Sequence, residues 1–130
     1  METEMSFLRR LLHYELRSAE RYRRFVSLVI VASADGVVRM RHLIGETLRG
    51  SDEMADFDSA AAILMPETDN PGALKAVDRY RNRSNGKCDL RFGVVTYPSD
   101  SGGAEGLLAT AYRRLAQAMS ADNGSIVSNG

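Results

Sequence analysis

Apolar residues return at three- and four-residue steps through Leu8, Leu11, Leu12, Leu16, Ala19 and Tyr22, which predicts one long helix from about Thr3 to Arg24. Its other face carries Arg9, Arg10, Arg17, Arg21, Arg23 and Arg24 with Glu15 and Glu20 among them, and reads first as a solvated face. The period then changes. Phe25 to Ala32 (FVSLVIVA) is a continuous, β-branched apolar run, the pattern of a central strand buried on both faces. Ser33 to Gly36 turns the chain into a shorter helix from Val38 to Leu48, with Met40, Leu43, Ile44 and Thr47 or Leu48 inward and Gly50 placed as its C-terminal cap.

Phe57 to Met65 (FDSAAAILM) reads as a strand, because Pro66 stops it and its end is apolar, although three alanines favour a helix. Pro66 to Pro71 is turn chemistry in which Asp69 or Asn70 caps the next helix, Pro71 to Asn82, burying Leu74, Val77 and Tyr80. Asn85-Gly86 turns into a strand from Cys88 to Tyr97, and Pro98 to Gly103 is a loop. Helical spacing returns from Ala104 to Ala121, and the polar tail 122–130 holds a short strand at Ile126 and Val127. Strands interleaved with helices on short loops predict a layered α/β (α+β) domain, one domain over residues 1–130 without an internal repeat.

Composition narrows the function classes. The 17 basic and 17 acidic side chains cancel to a formal charge of zero, which argues against nucleic acid as a partner. No run approaches the roughly 18 apolar residues of a membrane span, and no signal-peptide core opens the chain, so a cytoplasmic domain is expected. Cys88 has no intramolecular disulfide partner, and packing is its simplest role. His13 and His42 lack the spacing of a metal pair, so no metal or cofactor is expected from them. The acidic residues Asp52, Glu53, Asp56 and Asp58 read as a solvated approach to a hairpin, and Tyr112 as a surface or groove residue.

Several segments, in order, resemble the GGDEF domain of bacterial diguanylate cyclases: SFLRRLLHYELRSAERYRRFVSLVIV, TLRGSD, AILMPETD, GVVTYPSD and EGLLATAYRRLAQA, covering roughly Ser6 to Gly124. The resemblance implies a mixed sheet wrapped by helices, ferredoxin-like at heart. It also implies where catalytic groups should stand, and there the chain departs. The end of the first strand, Val31-Ala32-Ser33-Ala34, has no carboxylate, although Asp35 follows. The signature hairpin corresponds to Phe57-Asp58-Ser59-Ala60-Ala61-Ala62, without two adjacent acids in either register. Met119 stands where the family carries a phosphate-binding lysine, and the stretch between the first strand and TLRGSD is shorter by about one helix and its loop. The family's leading DxLTGLxNR motif is missing upstream of Ser6, which suggests a free-standing or remodelled domain. Without metal ligands and phosphate cations, a transferring phosphoryl group has nothing to neutralise its charge, so the resemblance implies a domain that is not an enzyme.

One family feature is present. Arg49-Gly50-Ser51-Asp52 matches the RxxD inhibitory site, at which members bind cyclic di-GMP. A guanidinium fork suits the O6/N7 edge of guanine or a phosphate, and a carboxylate accepts from guanine N1 and N2. That site usually recruits a further arginine, for which Arg79, Arg81 and Arg83 are candidates that spacing does not separate. Two readings stay open: a receptor for cyclic di-GMP at Arg49 and Asp52, or a nucleotide-independent scaffold using its opening helix towards a protein partner or a second copy. In the second reading Arg49 and Asp52 form an ordinary surface ion pair. Residual hydrolysis with acids relocated to Asp35 and Asp58 is a third and weaker alternative.

Overall fold

The computed structural model describes residues 3–57, 60–86, 88–122 and 125–130, the side chain of Phe57 excepted. Four helices and five strands follow in the order α1 (Glu4–Tyr22), β1 (Val26–Ser33), α2 (Val37–Gly45), β2 (Glu53–Phe57), β3 (Ala60–Pro66), α3 (Asn70–Ser84), β4 (Leu90–Tyr97), α4 (Ala104–Met119) and β5 (Ile126–Val127). The strands form one mixed sheet in the order β2-β3-β1-β4-β5. β1 runs antiparallel to both β3 and β4, β2 runs antiparallel to β3, and β5 joins β4 in parallel.

The apolar run predicted as a central strand is central, and all eight residues of β1 are buried. Strand alternation sends its side chains to two separate cores. Val26, Leu28, Ile30 and Ala32 meet Leu8, Leu12 and Leu16 of α1 and Leu107, Leu108 and Ala111 of α4. Val29 and Val31 meet Met40 and Ile44 of α2 and Ala73, Val77 and Tyr80 of α3. Gly93 lets α4 lie directly on the sheet: a Cβ there would stand 2.4 Å from the carbonyl oxygen of Ala111 and 2.5 Å from the amide nitrogen of Leu115.

The helix ends are locally encoded. Thr3 caps α1, accepting from the amide of Ser6 at 3.0 Å. Of the two candidates for α3 it is Asp69 that caps, accepting from the amide of Gly72 at 2.9 Å, with Pro71 in the first turn where its missing N–H costs nothing.

Four expectations are corrected. Phe57 to Met65 is not one strand: β2 and β3 form a hairpin, Phe57 opposite Ala60, and β2 lay hidden because an edge strand tolerates charge and carries Glu53 and Asp56. Gly50 does not cap α2, which ends at Gly45, and its φ is not left-handed. Tyr22, expected on the buried face, is 58% exposed, since α1 unwinds into a left-handed Arg23 just beyond it. The last long strand starts at Leu90 rather than Cys88.

Candidate ligand-binding site

After α2 the chain tightens once more, Thr47 donating from its amide at 2.9 Å and its hydroxyl at 3.0 Å to the carbonyl of Ile44. Leu48 tucks partly into the second core and anchors the segment. The next four residues close a turn in which the amide of Asp52 donates to the carbonyl of Arg49 at 3.0 Å, and β2 starts immediately afterwards. Arg49, Gly50 and Ser51 are exposed, and Asp52 is half-buried. Ser51 opens onto a groove of about 390 Å³ shared with Tyr14, Phe25 and Glu67.

The sequence motif therefore folds as a compact turn with both candidate side chains at its ends. Among the described residues no salt bridge joins Arg49 to Asp52, so the ordinary surface ion pair does not form. Burial pushes the Asp52 carboxyl above the usual carboxylate range, while a backbone hydrogen bond at Arg49 and the charges of Arg49 and Arg79 pull it back.

α3 packs behind the turn and separates the three further arginines. Arg83 pairs with Glu46, and Arg81 stands 3.6 Å from Asp78 on its own helix. Arg79 is the one whose charge acts on Asp52. Its Nη2 is buried with no hydrogen-bond partner among the described residues, and its guanidinium carbon stands 6.0 Å from the centre of the Tyr80 ring. The Tyr80 side chain is fully buried, and its hydroxyl likewise has no partner among the described residues. Burial, and then the charge of Asp52, push its phenol up to about 12. Tyr80 was legible in the sequence only as a core residue, because nothing in its spacing reveals where a phenol oxygen ends.

The end of the sheet at which the cyclase resemblance places catalysis is built differently. Ala60, Ala61 and Ala62 are buried and face Ala32, Val31 and Ile30 across the ladder. The carboxylate of Asp35 accepts from the amide of Asp89 at 2.6 Å, while the amide of Asp35 donates to Ser33 Oγ at 3.1 Å. Ser33 Oγ in turn lies 3.2 Å from Cys88 Sγ, so the lone thiol packs as a buried hydrogen-bonding group. Asp58, the other acid considered for residual hydrolysis, lies outside the described residues. Met119 is exposed at the end of α4, and Arg91 donates to the carbonyls of Ala118 and Met119 there, both at 3.1 Å. Among the described residues no group of three histidine, cysteine, aspartate or glutamate side chains is placed to hold a metal ion. No helix among them is long and apolar enough to cross a membrane.

No family model matches the sequence, and no curated protein does either. Solved structures do. The GGDEF domain of YfiN (TpbB) from Pseudomonas aeruginosa superposes with a TM-score of 0.88 at 20% identity, over 96% of this chain and 88% of that one. The fold is that of a GGDEF domain. The GGDEF domain of FimX from the same organism matches with a TM-score of 0.80 at 18% identity, over 99% of this chain and 94% of that one. The diguanylate cyclase SiaD of P. aeruginosa, solved in complex with its activator SiaC, matches with a TM-score of 0.84 at 15% identity, over 95% of this chain and 57% of that one. The GGDEF fold therefore holds across the chain, as the ordered sequence motifs implied, and it occurs in bacterial signalling proteins.

Proposed function

We propose that this chain is a catalytically inactive GGDEF-like regulatory domain of bacterial cytoplasmic signalling that receives cyclic di-GMP at the Arg49–Asp52 turn, with Arg79 as the second arginine. The observation that carries the reading is the buried, unpaired Nη2 of Arg79 beside a turn whose arginine and aspartate are not closed on each other. An unpaired buried donor is costly unless something supplies its acceptor, and a cyclic dinucleotide offers both phosphate oxygens and the guanine edge. Arg49 pairs with O6 and N7 of the base, and the ionised carboxylate of Asp52 accepts from N1 and N2.

The reading of inactivity is supported by what occupies the other end of the sheet. Diguanylate cyclase chemistry needs carboxylates for divalent cations and a cation for the triphosphate. Here methyl groups stand at Ala60–Ala62, Asp35 is engaged by the backbone of Asp89, and Met119 ends α4. Incubation with GTP and Mg²⁺ is accordingly expected to yield no cyclic di-GMP.

Calorimetric titration tests the receptor reading. Micromolar or tighter binding of cyclic di-GMP is expected, with no comparable heat from GTP. Arg49→Ala abolishes it and Arg79→Ala weakens it at least about tenfold, the loss of a charge-assisted hydrogen bond. Arg81→Ala and Arg83→Ala leave it unchanged, because those guanidiniums are engaged elsewhere. An absence of heat from the native chain removes the receptor reading. The alternative is then a nucleotide-independent scaffold that binds a protein partner or a second copy. The outward face of α1 favours it, exposing Phe7, Tyr14, Arg17 and Arg21 on the side opposite Leu8, Leu12 and Leu16, and SiaD is itself held by an activator protein.

A further inference from the structure

Seen down its axis, α1 has two ordered stripes, and only one of them is covered. Leu8, Leu12, Leu16 and Ala19 enter the first core. The opposite stripe runs Phe7, Arg10, Tyr14, Arg17 and Arg21, and each of these residues is exposed. Their steps alternate between three and four residues over about 21 Å of helix, the spacing with which one helix receives another. Tyr14, Arg17, Ser18 and Arg21 stand at i, i+3, i+4 and i+7, the four corners of a hole into which a facing helix places a side chain. With Tyr22 they line a concavity of about 310 Å³.

Charge selects what can sit there. Other arginines on and around the helix are engaged: Arg9 with Glu105, Arg24 with Glu67, and Arg41 with Glu4. Arg17 and Arg21 are not, for among the described residues neither has an ion pair or a hydrogen bond. They flank a hole walled by tyrosine, and tyrosine and arginine are the residues that dominate interface energetics. The guanidinium carbon of Arg10 lies 5.6 Å from the centre of the Phe7 ring, so cation and apolar surface adjoin at the other end of the stripe as well. A second α1 does not fit this face, because two copies would crowd six guanidiniums into one seam. The carboxylates that complement Arg17 and Arg21 have to come from another chain.

We propose that the outward face of α1 docks an acidic amphipathic helix of a partner protein, one apolar side chain of which seats between Tyr14 and Ser18 while carboxylates beside it pair with Arg17 and Arg21. Such a helix carries leucine-sized residues at three-four spacing with Glu or Asp next to them; a basic helix is repelled. The inference goes beyond the receptor reading and does not depend on a nucleotide, since Arg49, Asp52 and Arg79 are no part of this face.

The probe is a synthetic helical peptide of leucine and glutamate, its leucines at three-four spacing, beside a twin with lysine for each glutamate. Both are titrated by fluorescence anisotropy into the full chain without nucleotide. The glutamate peptide is expected to bind in the micromolar range, and the lysine twin not at all. Arg17→Glu weakens binding at least about tenfold, whereas Arg39→Glu, the same change of charge on α2, leaves it within about twofold. Tyr14→Ala weakens it at least about fivefold with no change of charge. All three variants are expected to melt with the native chain, because each side chain is exposed. No binding of the glutamate peptide overturns the proposal. Equal losses in Arg17→Glu and Arg39→Glu, or none in Tyr14→Ala, reduce the effect to general attraction and overturn it too. So does a native chain that binds phosphatidylglycerol vesicles in place of the peptide, which makes the face a membrane contact. A native dimer in sedimentation that Arg17→Glu dissolves gives the face to a second copy and overturns it likewise.

Discussion

The carboxylate of Asp100 accepts from the guanidinium of Arg114 at 2.9 Å and from the amide of Thr96 at 2.8 Å, and Arg114 also donates to the carbonyl of Val94 at 2.8 Å. Both side chains are largely withdrawn from water, at 18% and 6% exposure, so the pair ties α4 to the loop after β4. The Arg114 hydrogen bond is the first cause holding the Asp100 carboxyl below the usual carboxylate range. A carboxyl depressed in the folded state contributes stability that is complete above its unfolded value near 4 and is lost as pH falls through its folded one. Asp100→Asn leaves a buried guanidinium without its counter-charge, which costs about 3 kcal/mol near neutral pH. Urea unfolding at pH 7 and again near pH 3 should show the gap between native and variant narrowing at the lower pH; a gap independent of pH counts against the pairing. At this scale the sequence showed residue types but not engagements. Asp100 lay in a run read only as a loop, Arg114 on a helix face, and Arg79, Arg81 and Arg83 were equivalent until α3 was placed.

At the scale of elements, periodicity carried most of the fold. α1, β1, α3, β4 and α4 appear where three-to-four spacing or an unbroken apolar run predicts them, because burying one face of a helix or both faces of a central strand constrains nearly every position. Even the two-residue β5 was legible from Ile126 and Val127 in a polar tail. β2 was not, since an edge strand buries one residue in two and leaves the rest to polar chemistry: Ala55 is buried, while Glu53 is exposed. The packing of α4 on β4 depends on Gly93, whose significance no spacing reveals. Gly93→Ala puts a methyl against helix backbone, not against the movable end of a side chain, so α4 itself must shift. A loss of about 2 kcal/mol is expected, read as a lower urea midpoint at unchanged slope. A neutral result means that α4 can lift from the sheet at no cost.

At the scale of the molecule, the sheet separates two ends with different chemistry. One end keeps the RxxD turn with α3 behind it; the other has alanines, an engaged aspartate and a methionine where the sequence resemblance puts catalytic groups. The chain by itself determined the alternation of helices and strands and the α/β layering, because these follow from apolar period and turn chemistry; the mixed sheet and the motif came from the family resemblance. The resemblance, with the donor and acceptor chemistry of the two side chains, also named Arg49 and Asp52 as a candidate pair for guanine. Tertiary structure decided that no salt bridge joins Arg49 to Asp52 among the described residues, and that Arg81 and Arg83 have carboxylate partners of their own while the charge of Arg79 acts on Asp52. Those outcomes depend on how α3 crosses behind a loop some thirty residues earlier in the chain, and contacts over that separation are fixed by packing in three dimensions, which no local pattern records.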